Sequence, residues 1–275
     1  TGEATFGIAG SDTIVKNIRK AIKDDSVKAL VLRVNSPGGG VYASELITNA
    51  LKEFKDTGRP IVSSMGDIAA SGGVWVTTLS DEIWAKNETL TGSIGVYATL
   101  PTFENLYDWA GIQVDGVSST KAGEWDPRLS MPESVTNAIQ ASVDDTYDNF
   151  VEKVSENRGM RYEEIHAIAK GRIWSGDKAL QLGLVDKIGN LNDAISAASS
   201  LANIQDFQVI RYFKEIDPFE AFVAELIENI DLDFKLNRHT KRFLDLIDNG
   251  YDFIDDTKDI NIISYCFECE FFTAK

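Results

Sequence analysis

A buried strand that runs straight into three glycines is the feature that most restricts how this chain can fold. Residues 29–34 form an almost continuous apolar run that leads into Pro37 and the glycines 38–40. Apolar residues at helical spacing follow at once over 41–54. The order predicts a strand, a tight turn and a helix, which is the unit from which parallel sheets are built.

Strand and helix patterns alternate to about residue 200, which predicts an α/β fold with right-handed crossovers. Further helices are expected over 13–23, 69–79, 133–157, 162–170, 177–182 and 191–201, and further strands over 60–64, 82–85 and within 91–98. Beyond about residue 205 the character changes, and the chain ends in an aspartate-rich and aromatic stretch.

Charge and composition exclude several classes of function. The formal net charge of −16 argues against binding to nucleic acid or to an anionic membrane surface. We find no apolar run long enough to form a transmembrane helix. Cys266 and Cys269 form a lone Cys-x-x-Cys pair, which is weak evidence for zinc, so we expect no metal and no cofactor.

The glycine turn suits the binding of a carbonyl oxygen. Gly38, Gly39 and Gly40 permit positive φ angles and let backbone N–H groups approach a bound oxygen without obstruction. The plainer alternative is that they only make a tight turn. A phosphate-binding loop is disfavoured because neither glycine-rich phosphate motif is present.

Ser71 is the candidate nucleophile. It stands in the sequence AASGG before an apolar segment, where the Gly72 N–H would face a developing oxyanion. The alternative is an ordinary helix N-cap, a common use of serine. A hydroxyl nucleophile and an oxyanion-binding backbone together indicate acyl-transfer chemistry.

The base that activates the serine is less clear. His166 and His239 lie in no recognisable motif, and a distant histidine is not excluded. A lysine whose pKa is lowered by burial does the same work. The best candidate is Lys121, flanked by small residues, although a solvent-exposed loop lysine is the common alternative.

Four segments in order carry a family resemblance: NSPGGG, MGDIAASGGVW, ETLTGSIGVY and GRIWSGDKALQLGLVDKIG. They resemble the signal peptide peptidase A (protease IV) family of serine peptidases. The resemblance covers roughly residues 10–215 and implies a ClpP/crotonase-like spiral of βαβ units with a helical C-terminal extension. It implies Ser71 as nucleophile of a Ser/Lys dyad. Gly39 and Gly72 are the implied oxyanion donors, with Gly38 in the same substrate-binding turn.

Two arrangements of the base stay open under this resemblance. In short family members serine and lysine lie on one chain, and Lys121 is near the expected spacing. In long tandem members the lysine comes from the N-terminal half, whereas several segments here look more like the C-terminal half. The chain is then either self-sufficient or an incomplete half, and a crotonase-type acyl-CoA enzyme is the rival from another class.

The resemblance also implies the setting of the protein. We expect a peptidase domain over 1–215 and an acidic, aromatic-containing extension over 216–275 to which we assign no role. Peptide substrates and a homo-oligomer are expected. The implied location is the extracytoplasmic side of the bacterial inner membrane, through a membrane segment absent from this chain.

Overall fold

The computed structural model describes residues 10–119, 125–212 and 271–274, and strands and helices alternate through them as predicted. The helices are α1 (Ser11–Lys23), α2 (Val41–Lys55), α3 (Gly72–Trp75), α4 (Glu104–Trp109), α5 (Glu133–Arg158), α6 (Tyr162–Ile168), α7 (Gly176–Gln181) and α8 (Leu191–Leu201). The strands are β1 (Leu30–Ser36), β2 (Ile61–Ala70), β3 (Glu82–Ala85), β4 (Leu90–Gly92), β5 (Ile173–Ser175), β6 (Lys187–Ile188), β7 (Val209–Tyr212) and β8 (Phe271–Ala274). The fold is α/β, with parallel strands joined by crossovers as the sequence predicts.

Strand β2 is the centre of the sheet. It runs parallel to β1 along most of its length. On its other side its first half pairs with β3 and its last three residues pair with β4. The main strand order is β5-β4-β2-β1-β8-β7, and β6 pairs with β3. The carboxyl end of β2 therefore lies between the end of β1 and β4, which in turn pairs antiparallel with β5.

Helices cover both faces of the central strands, so β1 and β2 have little exposed surface. Leu30 and Leu32 pack on the face that α1 and α2 cover, where Ile18 and Phe54 are fully buried. The alternate residues pack against α8 on the opposite face, as the two-residue period of a strand requires. The core thus fixes the strand ends that carry the candidate site.

Two local predictions differ from the structure. The helix expected over 69–79 is only α3, because Ala69 and Ala70 belong to β2 and pair with β4. The strand expected within 91–98 ends at Gly92. Ser93 has a φ of 50°, which no β-strand accommodates, and the following residues to 100 form no regular element.

The described residues from Gly95 to the middle of α5 contribute no buried side chain to the core. No residue that the structure describes between 95 and 149 is buried. Seven large apolar side chains are exposed there: Tyr97, Leu100, Phe103, Leu106, Trp109, Ile112 and Val117. We call residues 96–119 and 125–132 the projecting segment.

The expected C-terminal extension lies mostly outside the described residues, since only 271–274 of it are included. Those four residues form β8, which lies antiparallel between β1 and β7 within the sheet. Among the helices of the described ranges, none is long and apolar enough to cross a lipid bilayer.

Candidate active site

Ser71 joins β2 to α3 in a backbone conformation that is rare for a side-chain-bearing residue. Its φ is 52° and its ψ is −117°. Such a conformation costs about 1–3 kcal/mol and persists only where the surroundings enforce it. The serine occupies the N-cap position of α3, yet its side chain makes no capping hydrogen bond. The alternative role as a side-chain cap is therefore wrong.

The glycine turn lies directly against Ser71. Gly38 has a φ of 124°, and a Cβ atom built on it would stand 3.2 Å from the Gly72 nitrogen. A Cβ atom on Gly72 would in turn stand 3.2 Å from the Gly39 nitrogen and 2.7 Å from the Ser44 hydroxyl oxygen. The structure thus brings Gly38 and Gly39 against Ser71 and Gly72, although the two pairs are more than thirty residues apart in sequence.

The amides of the turn differ in what they can bind. The Gly38 N–H donates to the hydroxyl of buried Ser36 at 3.0 Å, so it is occupied within the turn. The N–H groups of Gly39 and Gly72 donate to no acceptor within the described ranges. Two neighbouring backbone donors are therefore available beside Ser71, an arrangement suited to an oxyanion.

The peptide groups on either side of Ser71 are held firmly. Its N–H donates to the Gly92 carbonyl oxygen at 2.9 Å, and its own carbonyl oxygen accepts from the amides of Val74 and Trp75 at 2.9 and 3.0 Å. The Thr91 hydroxyl donates to the Ala69 carbonyl oxygen at 2.7 Å and ties β4 to the end of β2. These bonds explain how the strained conformation is maintained.

Helix α3 is anchored from two sides by Trp75. The indole N–H of Trp75 donates to Glu45 of α2 at 3.0 Å, and its ring packs against Phe150 of α5 with centroids 4.7 Å apart. Glu45 also pairs with Lys153 at 3.3 Å. The helix that begins beside Ser71 is thereby fixed between α2 and α5.

Of the three candidate bases, the structure describes only His166. Lys121 lies in 120–124, outside the described residues, and so does His239. His166 lies on α6, where its Nδ1 atom is 3.0 Å from the Tyr147 hydroxyl and its ring stacks on Tyr162. In the part of the chain that the structure covers, the Ser71 hydroxyl has no hydrogen-bonding partner and His166 does not contact it.

The cysteine pair also falls outside the described residues. Within residues 10–119, 125–212 and 271–274, no group of three or more histidine, cysteine or acidic side chains could hold a metal ion.

Sequence reasoning missed a second strained loop behind Ser71. Four described non-glycine residues have positive φ, and besides Ser71 they include Ser93 and Lys170, with φ of 50° and 58°. These two lie together, because the Ser93 N–H donates to the Arg172 carbonyl oxygen at 2.6 Å and the Gly171 N–H donates to that of Ile94 at 2.9 Å. The glycines of TGSIG and KGR were the available signal for this contact.

Comparison with known proteins finds similarity to peptidases. Residues 53–205 match the peptidase family S49. The chain is 41% identical to Protease 4 of Haemophilus influenzae over 214 residues, which are 76% of this chain and 35% of that protein. It is 34% identical to the putative signal peptide peptidase SppA of Enterococcus faecium, over 74% of this chain and 60% of the relative. The chain thus spans about a third of the length of the Haemophilus relative.

A solved structure of a ClpP1 mutant from Listeria monocytogenes is also similar. It is 14% identical, with a TM-score of 0.47, and the match covers 67% of this chain and 86% of that one.

Proposed function

The chain belongs to peptidase family S49, and on this basis we propose that it is a serine endopeptidase in which Ser71 is the nucleophile. The observation that carries the proposal is the position of Ser71. Its hydroxyl makes no capping bond, its backbone is strained, and two unoccupied amides lie beside it. A purely structural serine would need none of these features.

The proposed reaction proceeds through an acyl-enzyme. The Ser71 oxygen attacks the scissile carbonyl while a neutral lysine amine removes its proton. The N–H groups of Gly39 and Gly72 donate to the oxyanion that forms, and Gly38 serves by leaving room for this approach. The lysine returns the proton to the departing amine, and water then hydrolyses the ester.

We assign the base to Lys121, with a lysine from another segment as the alternative. A lysine base predicts activity that rises with pH as the amine loses its proton. Replacement of Lys121 by alanine should abolish peptide hydrolysis, whereas replacement of the exposed Lys178 should leave it unchanged. Unchanged hydrolysis in Lys121→Ala would remove Lys121 from the mechanism and favour a base from outside this chain.

The proposed substrates are cleaved signal peptides and other apolar membrane-associated peptides. The name of the Enterococcus relative supports this choice. We also propose a homo-oligomer, and the seven large apolar side chains exposed in the projecting segment support this proposal as candidate contacts between copies. The proposed location is the bacterial inner membrane, with the active site on the extracytoplasmic side.

A serine-reactive fluorophosphonate probe tests the central proposal. We expect the wild-type protein to be labelled covalently and Ser71→Ala not to be labelled. A protein that hydrolyses acyl-CoA esters without being labelled would instead be a crotonase-type enzyme. Labelling that persists in Ser71→Ala would place the nucleophile elsewhere.

A further inference from the structure

We propose that Trp174 is a positioning residue for Ser71, because it fixes the Gly92 peptide to which the Ser71 amide is bound. The inference rests on the proposed role of Ser71 as nucleophile. The described contacts of Trp174 are with Gly92, Thr91 and Ile168, so we infer that it acts on Ser71 through Gly92.

The first step is the contact between Trp174 and Gly92. Trp174 is the middle residue of β5 and pairs with Thr91 of β4. A Cβ atom built on Gly92 would stand 2.9 Å from Cδ1 of the indole and 2.8 Å from the Arg172 carbonyl oxygen. The indole ring therefore lies directly against the Gly92 backbone, and Trp174 is partly buried against the hydrophobic core.

The second step is the anchor of the indole itself. Its N–H donates to the carbonyl oxygen of Ile168, the last residue of α6, at 3.0 Å. The Arg172 guanidinium donates to the Ala167 carbonyl oxygen at 2.6 Å. Two side chains of the segment after α6 thus bind the carbonyl oxygens at the end of that helix, which holds the intervening loop closed.

The third step connects this loop to the nucleophile. The closed loop contacts the residues that follow Gly92, through the bonds of Arg172 to Ser93 and of Gly171 to Ile94. The Gly92 carbonyl oxygen then accepts from the Ser71 N–H at 2.9 Å. The strained Ser71 backbone depends on such external bonds, and a loosened Gly92 would let it relax.

The consequence is catalytic because reaction rates depend steeply on the position of the attacking atom. A displacement of about 1 Å can cost about 100-fold in rate. Loss of the indole anchor should therefore slow acylation of Ser71 while leaving the substrate-binding surface intact.

The experiment compares Trp174→Phe with Trp84→Phe as a matched control. Trp84 is also partly buried and its indole N–H also has an acceptor, Glu82 at 2.9 Å, but it lies on β3 and pairs with the first half of β2. Measurements are the rate of fluorophosphonate labelling, kcat and KM on an apolar peptide, thermal stability, and hydrogen exchange of the Ser71 amide.

Trp174→Phe should label about 10- to 100-fold more slowly than wild type, with a lower kcat and KM within about twofold. The Ser71 amide should exchange faster. Trp84→Phe should match the wild type in labelling and in exchange of this amide. Labelling of Trp174→Phe at the wild-type rate, or slowed only as much as Trp84→Phe, would overturn the inference.

Two further results separate the possible failures. If the wild-type protein is not labelled, the proposed function fails, and unchanged amide exchange in Trp174→Phe would independently refute the structural link. If Trp174→Phe does not fold, Arg172→Met tests the same loop, since it keeps an unbranched side chain but removes the donors that bind the Ala167 carbonyl oxygen. Wild-type labelling by that variant would then overturn the inference.

Discussion

Gly38 approaches Ser71 so closely that a Cβ atom on the glycine would stand 2.8 Å from the Cβ atom of the serine. The parallel register of β1 and β2, in which Ser36 pairs with Ala69, brings the two residues together. The turn and the candidate nucleophile are therefore one rigid unit, and each can be perturbed through the other.

Gly38→Ala should reduce activity strongly and stability measurably. The added methyl group would meet Ser71 and the neighbouring backbone, and the φ of 124° is unfavourable for alanine. We expect a fall in kcat/KM of about 100-fold, measured by peptide hydrolysis. Gly40→Ala is the control, since nothing lies within 4 Å of a Cβ atom there. Equal effects of both variants would contradict the close contact.

Ser71→Gly should be at least as stable as Ser71→Ala, although glycine normally destabilises by raising the entropy of the unfolded chain. Both variants remove the hydroxyl, but only glycine adopts a φ of 52° without strain. Relief of about 1–2 kcal/mol of strain should outweigh the entropy difference. Urea unfolding of the two proteins measures it, and a clearly more stable alanine variant would argue against strain at this residue.

Gly92→Ala and Gly58→Ala separate backbone strain from crowding. Both glycines have a positive φ, 84° and 79°, but only Gly92 is crowded by Arg172 and Trp174. Gly58→Ala should cost about 1 kcal/mol from its backbone conformation alone. Gly92→Ala should cost more and should also slow Ser71 labelling. Similar free energies of unfolding for the two variants would mean that Arg172 and Trp174 move aside at little energetic cost.

Asp186 should make stability depend on acid pH. Burial raises the pKa of this carboxyl, but hydrogen bonds from the Arg158 guanidinium and the Ile83 N–H outweigh burial and lower the pKa below its ordinary value of 3.8. The folded state therefore favours the charged form. This contribution is fully present above about pH 5, and it is lost as the pH falls below 3.8 and through the lowered pKa.

Asp186→Asn tests this contribution. At pH 7 the variant should be less stable by about 2 kcal/mol, because charged hydrogen bonds to Arg158 are lost. Urea unfolding at pH 7 and pH 3 should show the difference between wild type and variant shrinking in acid. A difference that stays constant with pH would show that the carboxylate charge is not what stabilises this contact.

The sequence predicted the strand, turn and helix around 38–40 correctly, because apolar period and glycine punctuation report local structure directly. It also paired the turn with Ser71, since both follow buried strands of one sheet. It could not reveal the short α3 or the φ of Ser71. Those depend on Gly92 and Trp75, whose contacts come from distant elements. The contact between Ser93 and Arg172 was missed because the glycines near each residue signal a turn but do not show that the two turns meet.

In the projecting segment, between Gly95 and the start of α5, none of the described residues is buried. Its length and sequence are thus nearly free of constraints from folding, and exchange with the corresponding segment of another family member should yield a chimaera that still folds. In the sequence, Lys121 falls between the two described parts of this segment. Such grafts would allow the lysine proposed as proton acceptor to be transplanted or omitted on an otherwise unaltered scaffold.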